Sequence, residues 1–137
     1  LEDLVKFLGE IVEDLSLPPE EREGLIYWIE SWHRDQDANK KAAKILVNAM
    51  ARYTLQLREE GASPRTLSGV YSDLQAAGHL AFKYDAPTDK KVLQCFEYAP
   101  PWDYEFERQF SDSPALVKRY RKNLEGFRRF LKSYGHI

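Results

Sequence analysis

From Ser113-Pro114 to Gly135 the apolar residues Val117, Tyr120, Leu124, Phe127, Leu131 and Tyr134 follow one another at alternating steps of three and four. A helix places residues at that spacing on one side, whereas a strand would alternate every second residue. Pro114 suits the first helical turn, where its missing N–H leaves no bond unmade, and Gly135 suits a helix end. The other side carries Lys118, Arg121, Lys122, Arg128, Arg129 and Lys132, so the segment divides into a cationic face and a face committed to packing.

The same pattern recurs upstream. Asp37 is a suitable N-cap for a helix whose inward face reads Ala42, Ile45, Leu46, Ala49, Met50, Tyr53 and Leu57, with Gly61 at its end. Ser63-Pro64 repeats the cap-then-proline device, and Leu67, Val70, Tyr71, Leu74, Ala77, Leu80 and Ala81 continue at three and four. Near the start, Leu4, Leu8, Ile11 and Leu15 mark a helix that Leu17-Pro18-Pro19 stops. Glu20, Glu21 and Glu23 then suit the positive end of a second helix, whose Leu25, Trp28, Ile29 and Trp32 form a stripe that we expect to pack inward. Asp85 to Asp89 breaks the chain, Lys90 to Tyr98 is expected to form a short helix, and Pro100-Pro101 breaks the chain again.

No strand pattern competes with these segments. The expected fold is all-α: one domain over residues 1–137, a compact bundle of five to seven helices with short turns, in which residues 1–35 form an acidic helical hairpin. The two Ser-Pro helices also superimpose at a constant offset of 50, with Leu67 on Val117, Val70 on Tyr120 and Asp73-Leu74 on Asn123-Leu124. Two capped amphipathic helices of similar length produce much of that agreement without any duplication.

A chain of 137 residues with 43% hydrophobic and 13% aromatic residues can bury a core, and 7 Gly and 7 Pro are too few for a linker or a fibre. Cys95 is the single cysteine, which excludes an internal disulfide and makes a reducing, cytoplasmic setting the expectation. No apolar run is long enough to cross a membrane, and the acidic start is wrong for a secretory leader. Leu rather than Met at position 1 fits a piece of a longer chain. The net charge of −2 argues against a generally cationic nucleic-acid binder, yet the charge is polarised. Residues 1–30 carry nine acids against Lys6 and Arg22, while 108–137 carry eight bases against Asp112 and Glu125.

Chemistry-bearing patterns are scarce. His33, His79, His136 and Cys95 stand singly, without the spacing that gathers zinc ligands, and neither a dinucleotide nor a nucleotide-phosphate glycine loop occurs. No cofactor and no metal are expected. Cys95 beside Phe96 reads as a small apolar filler. Arg129 and His136 are the best catalytic pair, similar to the ribonuclease signature of some small helical domains, but Gly135 ends the helix between them, and we expect no enzyme activity.

The stretch from Tyr53 to Leu74, with Gly61 closing one helix, Ser63-Pro64-Arg65-Thr66 opening the next and Tyr71-Ser-Asp73-Leu74 continuing it, resembles the N-terminal core-binding domain of tyrosine recombinases, the phage integrase-like family. The segment from Ala115 to Ile137 resembles that domain's closing helix, so the likeness falls within residues 36–137 and covers about half the chain. The family's catalytic Arg, His and Tyr lie in a separate domain absent from this sequence, so the resemblance implies DNA binding without strand cleavage. It places Arg65, Thr66 and Ser68 against phosphates at a helix start, with Lys118, Arg121, Lys122, Arg128, Arg129 and Lys132 as a second strip, while Tyr71 and Tyr120 stay in the core. Helix starts and hydroxyls bind phosphate oxygens, and Lys or Arg strips release counterions from a duplex. The competing expectation is a protein-interaction module, in which the acidic Trp28/Trp32 segment or the basic last helix docks a partner or a second copy of the chain.

Overall fold

A computed structural model describes residues 38–84, 91–97 and 103–133. Every regular element among them is helical: α1 (Ala38–Glu59), α2 (Pro64–Tyr84), a short 3-10 turn (Gln94–Phe96), α3 (Asp103–Gln109) and α4 (Pro114–Ser133). The all-α expectation therefore holds for the described residues, among which four α-helices occur; the expected count of five to seven also drew on residues outside them. The hairpin over 1–35, the Asp37 cap, the break at 85–89, Pro100-Pro101, Tyr134, Gly135 and His136 lie outside the described residues. No helix among the described residues is long and apolar enough to cross a membrane.

The boundary between α1 and α2 follows from three residues. Gly61 adopts a left-handed φ of 95°, which lets the Ala62 N–H reach back to the Leu57 carbonyl and the Gly61 N–H to the Arg58 carbonyl, both at 3.0 Å. These two bonds satisfy carbonyls that the end of α1 would leave open, in a Schellman closure that glycine enters without a Cβ penalty. Two residues on, the Ser63 hydroxyl accepts the Thr66 N–H at 3.2 Å and donates to the Thr66 hydroxyl at 3.0 Å, capping α2 just ahead of Pro64. α4 also starts at a Ser-Pro step, where the Ser113 carbonyl accepts the first helical bonds from Leu116 and Val117.

α1, α2 and α4 pack against one another, and α3 leans on α2. α1 is covered on two flanks, so Ala43, Val47, Ala51 and Thr54 are buried in addition to the expected Ala42, Leu46, Ala49, Met50 and Tyr53. Small residues at these positions let neighbouring helices approach closely, and each large side chain buried among them adds about 1.5–3 kcal/mol. Two aromatic runs stitch the outer elements to this core. Phe106 of α3 stacks on Tyr120 of α4 with centroids 3.9 Å apart, and Phe110 tilts against Phe106 at 4.7 Å. Phe96 from the 3-10 turn meets Phe127 edge-on at 5.6 Å, and Phe127 and Phe130 both touch Tyr53.

Two expectations shift in detail. Where a short helix is expected over Lys90 to Tyr98, the described residues 91–97 form a turn and one 3-10 turn, closed by bonds from Phe96 to Leu93 and from Glu97 to Gln94. Tyr120 is fully buried as expected, whereas Tyr71 sits half-buried at the rim, its hydroxyl 3.1 Å from that of Thr54 on α1. The offset of 50 has a physical counterpart: Asn123 donates to Asp73 at 2.7 Å, and the Arg119 side chain lies over Gly69, so matching positions of α2 and α4 meet at their crossing.

Candidate nucleic-acid interface

α4 presents a buried side of Tyr120, Leu124, Phe127, Phe130 and Leu131, and an exposed side of Lys118, Lys122, Glu125, Arg129 and Lys132. At a rise of about 1.5 Å per residue the four bases span roughly 21 Å along the helix axis. Glu125 interrupts the strip; its contact with Arg129 is at 4.0 Å with both side chains well solvated, so it holds neither charge firmly.

The remaining bases of α4 have protein partners. Arg121 donates through Nε to Glu107 of α3 at 2.7 Å, and Arg128 donates through Nε to the Phe96 carbonyl, fastening the 3-10 turn to α4. Arg119 forms a two-pronged pair with Asp73 of α2: Nε to Oδ2 at 3.0 Å and Nη2 to Oδ1 at 2.9 Å. Asp73 is 1% exposed, and Asn123 supplies a third donor to it. The Asp73 hydrogen bonds raise the Arg119 pKa above its usual value, outweighing the partial desolvation that lowers it, so Arg119 stays charged. Gly69 leaves room at the crossing: a Cβ there would stand 3.3 Å from Arg119 Cδ, and the Arg119 side chain would have to shift by a few tenths of an ångström.

Arg65, Thr66 and Ser68 are all exposed at the start of α2. The Thr66 N–H and hydroxyl oxygen are taken by Ser63, the Leu67 N–H by the Ser63 carbonyl, and Pro64 has no N–H. This helix start is largely satisfied from within, which leaves the Arg65 side chain and the Ser68 hydroxyl as its outward-facing groups. Arg65 lies one turn before Gly69, on the row of α2 that meets Arg119.

Asp73 and Arg119 were not among the sequence-derived site residues. The signal was present, because Asp73 falls within the apolar row of Val70, Leu74 and Ala77, and a carboxylate there needs a charged or hydrogen-bonding partner. Cys95 is half-buried and its thiol donates to the Lys91 carbonyl at 3.6 Å. No group of three His, Cys, Asp or Glu side chains converges among the described residues.

Tyr53 sits beneath the C-terminal half of this strip. Burial raises its pKa above 10.0, against the nearby Arg129 charge, which lowers it, and with Glu60 adding to the rise. The folded chain thus favours the neutral phenol more than the unfolded chain does, so the contribution of Tyr53 to stability is complete below pH ~10 and is lost as pH climbs through the raised folded value. Stability measured by urea unfolding between pH 9 and 11.5 should fall, and Tyr53→Phe should fall less steeply. Equal slopes would remove the buried phenol as a cause.

Comparison with protein-family models, with curated proteins and with solved structures gives no match for this chain.

Proposed function

We propose that this chain is a non-catalytic helical module that holds duplex DNA through phosphate contacts, in the manner implied by its resemblance to recombinase core-binding domains. The observation that carries the reading is the exposed strip of Lys118, Lys122, Arg129 and Lys132 on a helix whose other side is fixed in the core. A rigid strip of this kind neutralises phosphates and releases counterions with little reorganisation of its own. Arg65 and Ser68 at the start of α2 add a second contact, and Thr66 acts there mainly as part of the cap. Arg121 and Arg128 keep their places in the site as secondary members, because binding phosphate would require Arg121 to loosen from Glu107 and Arg128 from the Phe96 carbonyl.

The test is fluorescence anisotropy of a labelled random duplex at several salt concentrations. Binding should weaken steeply with log salt, and Lys122→Ala, Arg129→Ala and Lys132→Ala should each reduce the slope by about one, uniformly across sequences. Arg128→Ala should change it least. Unchanged slopes in all three strip variants, or no binding at low salt, would overturn the reading.

The charge polarity of the sequence favours a second reading, self-association between the acidic 1–30 segment of one copy and the basic α4 of another. Such association gives a mass that rises with concentration at low salt and falls at high salt, since screening acts over about 8–10 Å near physiological ionic strength. A monomer at every concentration would remove it.

A further inference from the structure

A cleft of about 370 Å³ opens between the second half of α2, α3 and the first turns of α4. Leu80, Phe106, Phe110 and Leu116 supply its apolar surface, while His79, Lys83 and Arg119 stand among its polar lining residues. We propose that this cleft binds a small planar aromatic carboxylate, independently of any nucleic-acid contact on α4.

Three features carry the proposal. The volume lies at the lower end of the range for small-molecule sites, which suits a ligand of one or two rings rather than a peptide. Phe106, 5% exposed, is stacked on Tyr120 with its ring nearly parallel and backs the half-buried Phe110, which tilts against it at 39°, so Phe110 is the aromatic wall held in place for an incoming flat ring. The charges on the lining favour an anion. The carboxylate of Asp73 is the one acid among the described lining residues, and it already accepts three hydrogen bonds from Arg119 and Asn123.

Among the lining residues, two Lys or Arg side chains stand ready for an incoming carboxylate. Arg119 is clamped by Nε and Nη2, which fixes its guanidinium while its side chain stays 44% exposed, so Nη1 is the prong left over to donate. Lys83, from α2, is exposed on the lining of the same cleft, with its ammonium over the Tyr84 ring at 5.2 Å. α3 contributes aromatic surface and Gln109 but no acid to the described lining. An aromatic ring against Phe110 and a carboxylate between Lys83 and Arg119 satisfy both halves of the cleft at once.

The full ¹⁵N-labelled chain is titrated with 2-naphthoate and, separately, with its uncharged counterpart 2-naphthamide, following backbone amide shifts. Naphthoate should give saturable shifts over residues 76–83 and 106–110, with the amide binding about 5-fold more weakly, the loss expected for one partly solvated ion pair. Lys83→Gln, on a solvated side chain, should erase most of that difference while the apolar contact remains. Phe110→Leu should weaken both ligands together. The proposal fails if neither compound shifts the cleft amides, if both bind equally, or if the naphthoate shifts fall on the exposed Lys strip of α4 instead.

Discussion

Asp73→Ala is expected to lose about 2–3 kcal/mol of unfolding free energy, read by urea denaturation followed at the helical circular-dichroism band. The carboxylate is 1% exposed and receives three hydrogen bonds, two from Arg119 and one from Asn123. Breaking a fully buried pair costs about 3–5 kcal/mol, and the lower figure here reflects the Arg119 side chain, which is 44% exposed and can turn to water when its partner is gone. Arg119→Ala should match or exceed that loss, because it leaves the buried carboxylate with Asn123 alone. Asn123→Ala should cost about 1.5 kcal/mol, the lower end for a hydrogen bond to a charged group, since the carboxylate keeps its main partner. A loss below about 0.5 kcal/mol for Asp73→Ala, the range of ordinary surface changes, would mean that α2 and α4 are not joined through this pair.

The long helices, the junction between α1 and α2 and the start of α4 were legible in the sequence because each is announced locally. Gly61 and Ser63-Pro64 are read from chain chemistry alone, and the three-and-four spacing of Leu67, Val70, Leu74 and Ala77 matches the side of α2 that is buried. α3 is different. Its seven residues hold Phe106 as the one deeply buried apolar side chain, while Tyr104 is 71% exposed, so no period can be seen over so short a run. The width of the buried side of α1 was likewise hidden, since the burial of Ala43, Val47 and Ala51 depends on what packs around α1 and not on a local pattern.

The candidate site shows the same division. The sequence separates the cationic side of α4 from its apolar side, but it cannot rank the bases, because Arg121 and Lys122 are neighbours on one helix. What distinguishes them is Glu107 on α3, a helix the sequence pattern did not reveal, and what distinguishes Arg128 is the carbonyl of Phe96 in a 3-10 turn. Electrostatic rank is thus a tertiary property, set by segments with weak local signals. Asp73 is the converse case, where an acid in an apolar row did announce a buried partner but could not say which of several arginines it would be.

Gly126→Ala is expected to destabilise the chain by about 1–2 kcal/mol, although alanine is the better helix former by about 1 kcal/mol. A methyl at Gly126 would overlap the Tyr53 hydroxyl and stand 3.4 Å from its Cζ. The phenol cannot step aside cheaply, because the ring is 7% exposed and is flanked by Phe127 at 5.7 Å and Phe130 at 5.4 Å. The clash resides in a single oxygen, so the sign of the effect should reverse when that oxygen is removed. In a Tyr53→Phe background, Gly126→Ala should be neutral or stabilising, since the remaining 3.4 Å approach needs a shift of only a few tenths of an ångström and the propensity of alanine then prevails. The four chains of this double-mutant cycle, compared by urea unfolding, should therefore show a coupling of about 2 kcal/mol between positions that are 73 residues apart in sequence. Additive losses would mean that the middle of α1 does not seat against α4 at Gly126. Because Phe127 and Phe130 flank Tyr53 on the residues between which Arg129 projects outward, a disturbed seat should also misalign the end of the cationic strip, and Gly126→Ala should weaken duplex binding without removing any charge.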